Sequence, residues 1–203
     1  MRIFCIGRNY AEHIEELKNE RPSEPVIFTK PDTALVRPGE AFYHPDFSED
    51  IHHEVEIVLK ISKMGKNLEA RFAPKYYQEL AVGIDFTARD VQSRLKAKGL
   101  PWDLAKGFDG SGPVSGFVPK TEFPDLQNIT FGLRVNGEER QRGNTRMMLW
   151  NFDEQIAFLS RYFTLRPGDL LFTGTPAGVG PVSVGDKLEA FLEDKTTLEL
   201  EVK

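Results

Sequence analysis

Apolar positions along the chain recur with two different periods, and the clearest run is His53-Glu54-Val55-Glu56-Ile57-Val58-Leu59-Lys60-Ile61. Val55, Ile57, Leu59 and Ile61 alternate with Glu54, Glu56, Val58 and Lys60, and this period of two in β-branched residues predicts a strand. Shorter apolar runs predict further strands at Arg2 to Ile6, Val26 to Lys30, Thr33 to Val36, Ala81 to Ile84, Val114 to Val118, Ile129 to Val135 and Leu170 to Phe172. Asn136-Gly137 is a two-residue hairpin signal, with Glu138 to Arg142 returning. Lys187 to Leu192 and Thr197 to Val202 read as a second hairpin through Asp194.

The helical period is rarer. Phe152, Ile156, Leu159 and Phe163 share one face of Asn151 to Phe163, an amphipathic helix. A helix is predicted from Tyr10 to about Glu20, polar almost all round, with Arg21-Pro22 as its stop. Others are expected over Thr87 to Lys96 and near Pro74 to Leu80. Arg37-Pro38-Gly39-Glu40 and Arg166-Pro167-Gly168-Asp169 read as turns. No internal repeat or linker interrupts the pattern, so a single domain over 1–203, α+β and predominantly β, is expected.

Composition adds few constraints. With 203 residues, 40% hydrophobic and 28% charged, the chain can bury a sizeable core without disulfides. Its one cysteine, Cys5, lies in an apolar run and fits a buried thiol in a reducing, cytoplasmic setting better than a nucleophile. A net charge of −5 gives no nucleic-acid footprint. No signal peptide or membrane-spanning run is expected.

The chemistry is concentrated in a few positions. Glu54 and Glu56 project from one face of a strand, about 7 Å apart at their Cα atoms. A half-buried pair of like charges calls for a positive partner, and a hard divalent cation is the simplest one. Solvated glutamates on an edge strand are the alternative. Asp85 ends an apolar strand and is either a third ligand or a helix cap, for which Thr87 competes. His52 and His53 point to opposite faces, so with Glu54 they cannot share a zinc ion. His13 and Glu16 share a helix face and form either an acid–base dyad or a solvated pair. Lys106, among apolar residues and glycines, either meets an anion or snorkels to solvent. Thr173 to Gly180 is glycine-rich but matches neither a phosphate loop nor a dinucleotide fingerprint, because no helix is predicted after it. Its N–H groups and the Thr175 hydroxyl remain available for a carboxylate.

Five blocks then stand in order: Gly7-Arg8-Asn9-Tyr10-Ala11-Glu12-His13; His52-His53-Glu54-Val55-Glu56; Asp85-Phe86-Thr87-Ala88-Arg89-Asp90-Val91-Gln92; Lys98-Gly99-Leu100-Pro101-Trp102 with Leu104-Ala105-Lys106; and Thr173 to Pro181. Together they resemble the fumarylacetoacetate hydrolase family, most of all its short acylpyruvase and oxaloacetate-decarboxylase members. The resemblance implies a mixed β-roll with flanking helices, usually a homodimer, and no separate N-terminal domain. It implies that Glu54, Glu56 and Asp85 bind one Mg²⁺ (or Mn²⁺ or Ca²⁺). It also implies that His13 and Glu16 activate water from a lid helix at about 10–21. Lys106 would polarise an oxo or enolate oxygen, Thr175 would contact the substrate carboxylate, and Arg89 and Gln92 would lie near the site. The expected activity is hydrolysis of the C–C bond of acylpyruvates through an enolate. Oxaloacetate decarboxylation or tautomerisation and isomerisation of 2-hydroxyhepta-2,4-diene-1,7-dioate are the alternatives on the same site, and a non-catalytic carboxylate-binding module is a third reading.

Overall fold

The computed structural model describes residues 1–18, 20–36 and 39–203. A six-stranded mixed sheet forms its centre, in the order Val26–Lys30, Ile3–Gly7, Leu170–Phe172, Val55–Ile61, Tyr77–Ile84, Val118–Pro119. Ile3–Gly7 runs parallel to Leu170–Phe172, and the other neighbours are antiparallel. A four-stranded antiparallel sheet (Lys195–Glu201, Lys187–Leu192, Thr130–Val135, Glu138–Asn144) packs across it. A small third sheet joins Gly180–Pro181, Ile51–His53 and Thr87–Ala88. The architecture is the expected mixed, predominantly β fold with flanking helices.

Alternation sets the orientation of the central strand. Val55, Ile57, Leu59 and Ile61 enter the main core with Phe131, Leu133, Phe152, Ile156 and Leu159. Val58 turns the other way, into a smaller cluster with Ile3, Cys5, Ala81, Leu170 and Phe172. The strand has partners on both sides, so the edge-strand reading of its glutamates falls. Asn136 and Gly137, at φ of 54° and 81°, make the predicted hairpin turn. The amphipathic helix forms over Phe152–Tyr162. Asn151 accepts from the Asp153 and Glu154 backbone N–H groups, and the Glu154 carboxylate accepts from the Asn151 N–H, a reciprocal cap of about 1 kcal/mol.

Several local expectations fail for tertiary reasons. Tyr77 to Leu80 is strand, not helix: Tyr77 pairs with Ile61 and Glu79 with Lys60, and this pairing outweighs the helical propensity of Gln-Glu-Leu. A 3-10 turn, Ala70–Lys75, precedes it. Thr33 to Val36 is not a strand, since Asp32–Ala34 turns instead, with the Leu35 N–H donating to the Asp32 carbonyl. Val114 to Val118 contracts to Val118–Pro119. The first helix is only Ala11–Glu16, because Lys18 adopts a left-handed φ of 52° and ends it well before Pro22. Residue 19 of that predicted helix, and Arg37-Pro38 of the predicted turn, lie outside the described residues.

Candidate active site

Three segments deliver the acids. The chain breaks step between Ile51–His53 and Val55–Ile61, and Glu54 stands at the break with Glu56 two residues on; Asp85 follows directly after Tyr77–Ile84. All three are buried, at 5%, 2% and 0% exposure, and one oxygen from each lies within 4.8 Å of the others. Hard oxygen donors this close and this dry fit a divalent cation such as Mg²⁺, Mn²⁺ or Ca²⁺. His52 and His53 stay out of the group: His52 pairs with Asp50 at 2.8 Å and His53 with Gln141 at 2.9 Å.

The surrounding charges are unevenly shared. Glu54 accepts from Arg89 Nη2 at 2.5 Å and from Lys106 Nζ at 2.9 Å. Asp85 meets Lys106 at 2.6 Å and Lys30 at 2.8 Å. Glu56 has one hydrogen bond, from the Gly174 N–H at 2.6 Å, and no ammonium or guanidinium partner among the described residues. The titration follows. Burial works to raise Glu54, but Lys106 and Arg89 hold it well below the usual carboxylate range. Burial, and then the charge of Asp85, push Glu56 well above that range. Glu56 is therefore the acid whose charge the protein leaves uncompensated, which is what a cation site requires.

Lys106 is 2% exposed, so it does not snorkel; it also donates to Thr87 Oγ1 at 2.5 Å. That bond, with Ala88 rather than Thr87 at the N-cap of helix Arg89–Ala97, overturns the capping role expected of Thr87. Burial opposes the charge of Lys106, yet Asp85 and Glu54 raise its pKa, so it is a fixed ammonium.

His13 and Glu16 are paired at 3.2 Å, with His13 6% exposed and lining the cavity above the acids. Burial lowers the His13 pKa, against the opposing charges of Glu54 and Glu16, so the imidazole is neutral near pH 7. The other oxygen of Glu16 accepts from the Gly178 N–H at 3.0 Å. The glycine-rich loop thus does bind carboxylates, but they are the protein's own Glu56 and Glu16. Thr175 lines the cavity and accepts from Gln141 Nε2 at 2.9 Å, which leaves its proton free to be donated. Arg89 Nη1 donates to Gln92 Oε1 at 2.7 Å, and both residues line the cavity. Eight of the nine predicted residues line one narrow cavity, and the ninth, Glu16, is tied to it through His13.

Lys30 and Gln141 are among the residues sequence reasoning missed. Lys30 is buried against Asp85 and Ser111, and its only signal was a lysine closing an apolar strand before Pro31. Gln141 is buried and ties together the Val55 N–H, His53, Thr175 and the Pro176 carbonyl; nothing in Glu-Arg-Gln-Arg marked it.

A fold of this topology with an acidic triad, a buried lysine and a His–Glu pair defines a fumarylacetoacetate hydrolase-type enzyme. Residues 2–203 match the family described as fumarylacetoacetate (FAA) hydrolase, C-terminal, and the chain belongs to that family. It is 42% identical over 201 residues to a mitochondrial oxaloacetate tautomerase of Bos taurus, covering 99% of this chain and 91% of the relative. It is 43% identical over 189 residues to a mitochondrial oxaloacetate decarboxylase of Dictyostelium discoideum, covering 93% and 87%. Among solved structures, fumarylpyruvate hydrolase from Pseudomonas aeruginosa in complex with Mn²⁺ and pyruvate superposes with a TM-score of 0.94, at 36% identity, covering 100% of this chain and 89% of that one. Among the described residues no helix is long and apolar enough to cross a membrane.

Proposed function

We propose that this protein is a Mg²⁺-dependent enzyme of small 2-oxo acids, acting on oxaloacetate as tautomerase and decarboxylase. The observation that carries it is the charge arrangement: three buried carboxylates, an ammonium fixed between two of them, and none beside the third. The relatives named above, an oxaloacetate tautomerase and an oxaloacetate decarboxylase, support the choice of substrate. Glu54, Glu56 and Asp85 would hold the cation. A bound divalent cation supplies Lewis-acid polarisation of the substrate's C2 oxygen.

The rest is the work of the chain. Lys106 holds a positive charge beside that oxygen as it becomes an enolate, a preorganised stabilisation that needs no reorganisation. In tautomerisation a proton leaves C3, and neutral His13 would take it. In decarboxylation the C3–C4 bond breaks, its electrons run to the C2 oxygen and CO₂ departs, so no base is needed. Thr175 would donate to the C1 carboxylate. Arg89, braced by Gln92, fixes Glu54 in place.

A second reading, hydrolysis of acylpyruvates, is favoured by one specific observation: His13, held by Glu16, lines the cavity with its imidazole neutral. There His13 would deprotonate a water that attacks the distal carbonyl, and the C–C bond would break onto the same C2 oxygen. The reading also carries a single catalytic domain with the helix Ala11–Glu16 as its lid, a homodimer and a cytoplasmic location.

The test is one Mg²⁺-loaded sample assayed for oxaloacetate enol–keto exchange, CO₂ release and acetylpyruvate cleavage, each stopped by EDTA and restored by Mg²⁺. His13→Ala should cut hydrolysis by about 10²–10⁴-fold while sparing decarboxylation. Because the His13 pKa is lowered, hydrolysis should persist until the pH falls below about 6.5 and then decline as the imidazole takes a proton. Loaded enzyme that leaves oxaloacetate unchanged would remove the proposal.

A further inference from the structure

The cavity has a second pole that the chemistry above does not use. Lys106, Lys30 and Arg89 each hold a carboxylate of the acidic triad. Lys96, in the last turn of Arg89–Ala97, lines the same cavity, yet among the described residues no carboxylate lies within ion-pair distance of it. Arg8 lines that cavity as well.

An aromatic wall separates the two poles. Lys106 Nζ sits 5.0 Å from the centre of the Phe28 ring, the Phe28 and Trp102 ring centres are 5.9 Å apart, and Lys96 Nζ lies 5.2 Å over Trp102. A ligand anchored over the acids and running along this wall would thus meet a cation at its far end. Partial burial, together with the nearby guanidiniums of Arg8 and Arg89, pushes the Lys96 pKa down to about 8. Such crowding of like charge is relieved when an anion binds.

We propose that Lys96, with Arg8 lining the same cavity, receives the distal carboxylate of a dicarboxylic 2-oxo acid whose C1 carboxylate and 2-oxo group lie over Glu54, Glu56 and Asp85. The assignment rests on the 2-oxo acid reading and adds what that reading leaves open. Enolate formation by loss of a C3 proton leaves the far end of the substrate untouched, whereas Lys96 tells a dicarboxylate from an acylpyruvate with an uncharged acyl end. Lys96 is a specificity residue for binding and tautomerisation in this scheme, and in decarboxylation the carboxylate it holds is the group that leaves as CO₂.

The test uses stable ligands, so it does not depend on turnover. Malate and lactate offer the same C1 carboxylate and 2-hydroxyl and differ in the distal carboxylate. Calorimetry on the intact Mg²⁺-loaded protein should show malate binding at least about tenfold more tightly than lactate, as a charge-assisted contact gives. Lys96→Gln should bring the two affinities close together by weakening malate alone, and Lys96→Arg should keep most of the preference. Unchanged lactate binding certifies that the variant is folded and its acids in place. The assignment is overturned if wild type binds the two alike, if Lys96→Gln keeps the preference, or if lactate binding falls equally. A wild type that turns over no 2-oxo acid would sink the functional reading and leave this ratio measurable.

Discussion

The strand Val55–Ile61 shows two faces of one element put to opposite uses. On one side Val55, Ile57, Leu59 and Ile61 are all but fully buried among apolar neighbours, the arrangement that favours the folded state. On the other, Glu56, with Glu54 just ahead of the strand, is equally buried beside a second and third acid. Burying like charges opposes folding. The first face therefore supplies stability and the second spends it on a charge pattern that only a ligand completes. Such a division explains how a strand can be core and active site at once.

Three substitutions on this strand would break or sharpen that contrast. Glu56→Gln carries the largest effect. It keeps an acceptor for the Gly174 N–H but removes the uncompensated charge, so metal binding and turnover should both be lost, while melting of the metal-free protein should not fall. Retained Mg²⁺ binding by calorimetry would mean that the second face is not built for a cation. Leu59→Ala, on the apolar face, should cost about 2–5 kcal/mol in denaturant unfolding and leave Mg²⁺ affinity intact. A parallel loss of affinity would show the two faces to be coupled. Lys60→Met should change stability by about 1 kcal/mol or less, since the Lys60–Glu79 pair is 2.8 Å long but about two-fifths exposed at each side chain. That position shows where the polar face reaches solvent and its charges stop mattering.

The same contrast explains what the sequence made legible. Periodicity identifies the apolar face without outside help, because each residue reports its own preference. The acids were equally visible as residues that have no business on a buried strand. Their partners were not. Lys30 belongs to a different strand, and its tie to Asp85 spans a separation that no local pattern encodes. Gln141 lies in a polar run whose neighbours are solvated, and only the packing of the hairpin Thr130–Val135/Glu138–Asn144 turns it inward. Tyr77 to Leu80 failed for a related reason: its residues tolerate a helix, and the choice of strand is made by Lys60 and Ile61 across the sheet. The helix Ala11–Glu16 ends early through a backbone conformation at Lys18 that its residue type does not advertise.

Asn9 joins segments far apart in the sequence: its side chain donates to the Trp150 and Thr173 carbonyls at 3.1 and 2.8 Å and accepts from the Trp150 N–H at 2.9 Å. Ile3 to Cys5 likewise lie parallel to Leu170 to Phe172. The first strand pairs early with Val26–Lys30 on one side, but on the other it must wait until Leu170–Phe172 has been made. The loop that steadies Glu56 lies 118 positions beyond it, so a nascent chain acquires its ion-binding capacity only after that loop has been made, and contacts this distant in sequence make for slow maturation.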